Sequence, residues 1–244
     1  MKRWGLPVFT LGALIAAWQL AVELEIVNPQ LVPAPSEVVA SLYENRSLLA
    51  DNSWVTLREV LLGFGCALVL GLGFAVALHL SATLRRAFYP LLVASQTIPI
   101  VVVAPLFVVW FGYGIGPKLA IVALVCFFPI TVNALDGLRS ADPEQIKMMR
   151  SIDASRWHIF RHVEAPGALP RAFSGAKVAI AVAVIGAVFG ESAGANQGLG
   201  HLILIDSGLF ETARIFATVV ILSAIAIALF GLLGLAERRL VRWS

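Results

Sequence analysis

The chain has 244 residues, of which 59% are hydrophobic and only 14% charged, and a formal net charge of +3; its mean hydropathy is +0.87. A soluble domain of this size carries roughly 25% charged residues, so most of this surface faces something other than water, and a bilayer is the environment that asks for it. Cys66 and Cys126 both sit in apolar runs and read as small packing residues rather than a disulfide framework; no basic block interleaved with aromatics marks a nucleic-acid surface.

Apolar runs of near-spanning length occur at about 4–22, 60–80, 88–111, 118–135, 173–190 and 213–236, each bounded by charged or Gly/Pro-rich residues. They predict an all-α integral membrane protein with six transmembrane helices in one domain over 1–244. The first run, Met1-Lys2-Arg3 followed by WGLPVFTLGALIAAW, also resembles a signal peptide, but no small-residue cleavage site precedes Glu23, so an uncleaved helix is expected. In the polar segment 23–52, Pro33 and Pro35 break the chain and Ser36 is placed to cap a short surface helix over about 36–49, with Glu37 in its first turn.

The second run carries Gly63, Gly65, Gly71 and Gly73, a pattern suited to close helix packing. The third holds Ser95, Gln96, Thr97, Pro99 and Pro105, with Trp110 at belt position, and the fourth holds Pro129 and Asn133. Proline frees backbone carbonyls and kinks membrane helices, which suits a gated cavity; Gln96, Thr97 and Asn133 are the candidate pathway residues. Between these runs, GYGIGPK (112–118) looks like a phosphate loop, yet Pro117 replaces the required glycine and Leu119 follows the lysine; a tight turn is expected. In the fifth run Ala179, Ala183 and Ala187 are four apart and Glu191 continues their face, predicting a tightly packed seam with Glu191 at its end, lining a pathway or pairing with a neighbour. The glycine-rich SAGANQGLGHLILIDSGLFE beyond it is expected to cap the outer side.

With both termini cytoplasmic, fourteen Lys and Arg residues fall inside and only Arg46, Arg58, Lys118 and Arg214 outside, as the positive-inside rule requires. The segment 137–170 is then a cytoplasmic loop. Asp142, Pro143 and Glu144 spell a helix start, with Ile146, Met149 and Ile152 on its apolar side. After a turn at Asp153-Ala154-Ser155, a second helix from about Arg156 carries Trp157, Phe160 and Val163 on one face and is expected to stop at Pro166. Exposed Met, Trp and Phe beside Arg suit a protein contact or a lipid-headgroup surface. HIFRH sets His158 and His162 four apart, but Ile159 stands where a zinc hydrolase needs glutamate, and no pair of Asp or Glu lies within the apolar runs. No catalytic machinery and no metal site are read, so the energy for any active transport is expected from elsewhere. A secondary transporter, which wants internal repeats and buried coupling carboxylates, and a membrane anchor are the alternatives.

This loop resembles the EAA loop of binding-protein-dependent ABC importer permeases, whose pattern is E-A-A, three residues, G, nine residues, I, one residue, L-P. Lys147-Met148-Met149 fall at E-A-A, Asp153 at G, Val163 at I and Ala165-Pro166 at L-P; the spacing is kept while the E, both alanines, the glycine and the leucine differ. DGLRSADPEQI, LVPAPSEVVASL, QTIPIVVVAPLFVVWFGYG, FGESAGANQGLGHLIL and ERRLVRW resemble the subgroup that serves nitrate, sulfonate, taurine and thiamine precursors. The resemblance implies a type I permease fold, located in a bacterial inner membrane, acting as a homodimer. Each copy would dock this loop, through Lys147, Met148, Met149, Asp153, Ala154, Trp157, Phe160, Val163 and Pro166, onto a cytoplasmic ATPase dimer that holds ATP and Mg. An extracytoplasmic binding protein would deliver a small solute, with a thiamine-precursor or pyrimidine-like compound expected and sulfonate, taurine or nitrate as the alternative.

Overall fold

The structure, a computed structural model, describes residues 5–241, the side chains of residues 7 and 8 excepted. Lys2, Arg3 and Arg242 of the charge count, and residue 4 of the first predicted span, lie outside this range. The described chain is all helical. Four helices are long and apolar enough to cross a membrane: α3 (Arg46–Leu80), α6 (Ile115–Arg139), α9 (Ala165–Gly194, helical from Arg156) and α11 (Thr212–Leu240). The bent pair α4 (Ala82–Ser95) and α5 (Ile100–Phe111) supplies a fifth if counted as one broken span. The sixth expected helix corresponds to α1 (Gly5–Glu23), whose apolar Phe9–Glu23 part is shorter than the others.

α6 lies at the centre, between α3 and α9. On α3 the stripe Gly63, Ala67, Gly71, Ala75 is fully buried. A Cβ at Gly63 would fall 2.6 Å from Val122 Cβ, and one at Gly71 would fall 2.9 Å from Ile130 Cγ2, so only glycine permits this approach. Gly65 and Gly73, on the opposite face, meet nothing within 4 Å; of the four glycines singled out by sequence, two make the seam. On α9 the predicted face is buried as expected, with Ala179, Ala183 and Ala187 all at 0% exposure. Gly175 and Gly186 of α9 bring it equally close to α6, a Cβ at Gly175 falling 2.6 Å from Pro129 O and from Asn133 Cβ.

Three sequence expectations change. The third apolar run is not one straight helix: α4 and α5 meet at 104°, because Pro99 has no N–H to continue the ladder and holds Ile98 out of the helical region. Ser36 does not cap the outer helix. That helix, α2 (Pro35–Glu44), begins at Pro35, and the Ala34 N–H donates to Glu37 Oε2 at 2.9 Å, while Ser36 bonds Gln19 of α1; its end is followed at once by α3, so no separate helix reaches residue 49. The glycine-rich outer loop folds largely into α10 (Leu199–Leu209). Gly198, with φ of 114°, turns the chain into it, and Gly200 lets it press on α9, where a Cβ would stand 2.5 Å from Val188 O. GYGIGPK is the tight turn expected, with Gly112 and Gly114 at φ of 75° and 134°.

If the seam rests on missing side chains, bulk at its two faces has opposite consequences. Gly71→Leu should lower the melting temperature of the detergent-solubilised protein markedly, since overpacking a tight interface costs about 1–3 kcal/mol. Gly73→Leu, on the open face, should leave it within a degree or two of wild type in the same thermal-shift measurement.

Candidate functional site

Three assemblies of polar side chains stand out along this bundle. At the inner end, the loop after α6 forms a helical hairpin: α7 (Pro143–Ser151), a turn, α8 (Arg156–Ile159) and a π-helical turn Phe160–Glu164 that runs into α9. Asp142 caps α7, its Oδ1 accepting from Glu144 N at 2.8 Å, and Ser155 caps α8 by accepting from His158 N at 3.2 Å. Between them Asp153 has φ of 56°, with Ala154 N donating to Met149 O and Asp153 N to Arg150 O, both at 3.1 Å. This is the helix-ending motif with a left-handed residue just past the cap, a place where glycine usually sits and which Asp tolerates better than most residues.

Pro166 does not stop the second helix, contrary to the sequence expectation. Arg156 to Gly194 is one helical run, because the π turn, closed by Ala165 N bonding Phe160 O, widens the ladder where a proline would otherwise clash. On the hairpin Lys147, Met148 and Trp157 are exposed, the last two at 66%. Met149, Ala154, Phe160, Val163 and Pro166 are half-buried, and Asp153 is exposed. Trp157 and Phe160 stack at 5.4 Å between centroids. The buried residue of this segment is Ile159, which the sequence reading left off the apolar face. The His158 and His162 rings stack at 4.1 Å, with His162 Nδ1 2.9 Å from His158 O.

Mid-bundle, a cavity of about 540 Å³ opens where α4 breaks from α5. Gln96 and Asn133, chosen separately from sequence, both line it, together with Ser95, Phe128, Pro129 and apolar side chains of α5, α6 and α9. Asn133 is fixed by its Nδ2 donating to Pro129 O at 2.8 Å, a carbonyl that faces the close approach of α9. Thr97 is not among the lining residues; it is exposed beside Gln96, its hydroxyl donating to Ala94 O at 2.8 Å.

Towards the outer side lies a buried cluster that sequence reading largely missed. Glu191, at 0% exposure, accepts from Thr56 Oγ1 and from Gly200 N, each at 2.6 Å. Thr56 in turn accepts from Leu199 N at 2.9 Å, and Asn52 Oδ1 accepts from Gly198 N at 2.7 Å. One α3 turn further along the chain, Lys118 Nζ pairs with Glu59 Oε1 at 2.7 Å, while the other oxygen of Glu59 is buried without a hydrogen-bond partner. The sequence suggested no paired carboxylates within the membrane; residues 59 and 191 meet only because α3 and α9 pack together. Glu191 therefore lies in a neighbour-paired position away from the cavity. At the end of α10, Arg214 grips Asp206 through two hydrogen bonds of 2.8 and 2.5 Å. Of the four cations assigned to the outer side, Lys118 and Arg214 are thus committed to buried carboxylates.

The family pattern described as the inner membrane component of binding-protein-dependent transport systems matches residues 67–242. The chain belongs to that family. Among curated relatives, this permease is 42% identical to the riboflavin transport system permease protein RibX of Chloroflexus aurantiacus, over 98% of this chain and 90% of the other. It is 36% identical to the formylaminopyrimidine transport permease protein ThiX of Halalkalibacterium halodurans, over 97% and 95%. Among solved structures, an inward-facing crystal form of the MetNI methionine ABC transporter superimposes with a TM-score of 0.68 at 22% identity, covering 81% of this chain and 96% of that one, which shows the shared type I importer fold. The protein is accordingly an inner-membrane permease of an ABC importer for small solutes, not an enzyme.

Two pairs of variants probe the geometry of the permease itself. Removing one partner of a buried ion pair strands the other at about 3–5 kcal/mol, whereas replacing both by apolar groups is often neutral. Lys118→Met should therefore collapse thermal stability, and the double variant Glu59→Leu/Lys118→Met should recover most of it. At the hairpin, Asp153→Gly should leave amide exchange of 142–164 unchanged or slower, while Asp153→Val, which resists positive φ, should speed it clearly.

Proposed function

We propose that this permease conducts an uncharged, planar nitrogen heterocycle of the pyrimidine class. The observation that carries this reading is the cavity lining: two carboxamides, a serine hydroxyl and the Phe128 ring among apolar side chains, with no charged residue. An amide is donor and acceptor at once, which matches the alternating edge of a heteroaromatic ring, and an aromatic side chain offers its face. Asn133 keeps Nδ2 on Pro129 O, leaving Oδ1 to accept from an N–H on the ring or on its exocyclic amino group. A sulfonate or nitrate ion would need a cation or converging N–H donors to replace its hydration. The names of RibX and ThiX, whose solutes both contain a pyrimidine ring, point the same way; a taurine permease at 27% identity and aliphatic sulfonate permeases at 28% and 31% are more distant.

In this reading Gln96 and Asn133 contact the solute and Thr97 borders the entrance. Glu191 serves the pathway indirectly, by holding the 198–200 loop against α3. Two copies of the permease assemble with a cytoplasmic ATPase dimer that binds ATP and Mg, and a binding protein supplies the solute from outside. The ATPase docks on the hairpin through Met148 and Trp157, with Lys147 beside them. Asp153 and Ala154 hold the turn, and Met149, Phe160, Val163 and Pro166 support the exposed residues from below.

The test is uptake into proteoliposomes holding the permease with its ATPase and binding protein. Riboflavin or a formylaminopyrimidine should enter only with ATP, and Asn133→Ala and Gln96→Ala should each slow entry about fivefold, the equivalent of one hydrogen bond of roughly 1 kcal/mol. ATP-driven entry of taurine or nitrate in preference to both heterocycles would sink the proposal.

A further inference from the structure

The inner and outer polar assemblies are joined by one helix. α3 is 35 residues long, roughly 50 Å at 1.5 Å per residue. Its outer end carries Asn52, Thr56 and Glu59, which hold Gly198, Leu199, Glu191 and Lys118. Its inner end carries His79, whose Nε2 lies 2.9 Å from Glu164 Oε2, both side chains largely buried. Glu164 closes the π turn of the hairpin, and Phe160, which opens that turn, sets its ring 6.4 Å from the His79 ring. Phe160 is in turn stacked on exposed Trp157. A continuous row therefore runs from the hairpin surface through Trp157, Phe160 and His79 into α3.

Among the described residues, His79 to Glu164 is the one side-chain hydrogen bond between α3 and the hairpin. The other polar ties near this end run elsewhere: Arg171 bonds Asp136 O on α6, and Lys177 pairs with Glu237 on α11. His79 Nδ1 is buried without a partner, so the ring is held from one side only, by Glu164. The π turn adds its own meaning, since such turns break the regular ladder and recur where a helix must yield or re-aim a side chain.

We propose that His79 is a positioning residue which transmits displacement of the hairpin to α3, and through α3 to the outer loop fastened by Asn52, Thr56 and Glu191. This rests on the reading of the hairpin as the ATPase contact. Without the His79–Glu164 bond, the ATPase still docks and hydrolyses ATP, but the outer end of α3 no longer follows. The pair is a joint rather than a pillar: α3 is held to the bundle by its seam with α6, which the bond does not touch.

The experiment uses the full complex with its ATPase in nanodiscs and a fluorophore on D51C, an exposed site at the outer end of α3, in a C66S background. Adding ATP and Mg is the stimulus, so no transported solute is required. H79L should keep ATPase co-purification and hydrolysis within twofold of wild type while the ATP-driven fluorescence change falls at least fivefold. H79Q, whose amide N–H still reaches Glu164, should restore at least half of it, and H79L/E164L should be no worse than either single change. A wild-type response in H79L, or H79Q no better than H79L, would overturn the proposal. Should H79L fail to assemble, E164Q against E164L decides: the joint predicts a response in the first, which keeps an acceptor, and none in the second, and equal responses sink it. W157A separates the two ideas, because a variant that still binds and answers the ATPase normally would remove the hairpin reading, whatever His79 does.

Discussion

The close approach of α3 and α9 to α6 is the constraint on which the other features depend. Lipid tails are as apolar as leucine, so no hydrophobic gain drives membrane helices together. Contact must come from backbones near enough for dispersion and weak polar contacts to act. Gly63, Ala67, Gly71 and Ala75 on one side and Gly175, Ala179, Ala183 and Ala187 on the other give α6 that proximity along most of its length. The outer carboxylate cluster and the mid-bundle cavity are consequences. Glu59, Lys118 and Glu191 can meet because their helices are already pressed together, and the cavity exists where α4 and α5 fail to press.

The distribution of polarity follows the same logic. A central charge in a bilayer costs about 2.5–3.5 kcal/mol on insertion scales, and each buried ion pair returns that cost only with good geometry and satisfied neighbours. The permease keeps its buried ionisable groups where such partners exist. Glu191 has Thr56 and the Gly200 amide, Asp206 has a two-pronged arginine, and Lys118 has Glu59. The mid-bundle lining is left to amides, a hydroxyl, an aromatic ring and aliphatic groups. Charge thus holds elements in register, and neutral hydrogen bonding is left to the cavity.

Much of this was legible in the sequence, for identifiable reasons. Length and polarity marked the apolar runs, and a four-residue spacing of alanines marked the buried face of α9, because a helical period is a local property. The spacing of the hairpin survived substitution at Asp153, since the turn demands a backbone angle rather than a particular side chain. What stayed hidden depends on contacts far apart in the chain. Glu59 stands 132 residues before Glu191, and His79 is separated from Glu164 by 85. A signal for the first existed, for Glu59 and Lys118 are opposite charges at the outer edges of the second and fourth apolar runs, and an ionisable residue at such an edge asks for a partner. Reading Lys118 only as a count toward the outer side passed over it. The run-on of α8 into α9 was hidden differently: proline usually ends a helix, and only the π turn before Pro166, a non-local compromise of packing, lets it continue.

The broken α4–α5 pair has a role that a straight helix lacks. A continuous span over 88–111 would satisfy its own backbone groups and offer α6 a smooth apolar face. The break at Gln96–Pro99 instead releases polar groups at membrane depth, which is tolerated only where they line a cavity or are buried in protein. Gln96 sits at that break, and Asn133 faces it from α6 with its Nδ2 on Pro129 O, a carbonyl against which a side chain at Gly175 would collide. In the proposed reading, a solute held between them would be bound by groups anchored to two helices with different attachments: α6 is locked in the central seam, whereas α4 and α5 touch it more loosely. Relative movement of the two sides would pull the amides apart without breaking either helix, so in that reading weakening of the site and opening of the pathway would be one event.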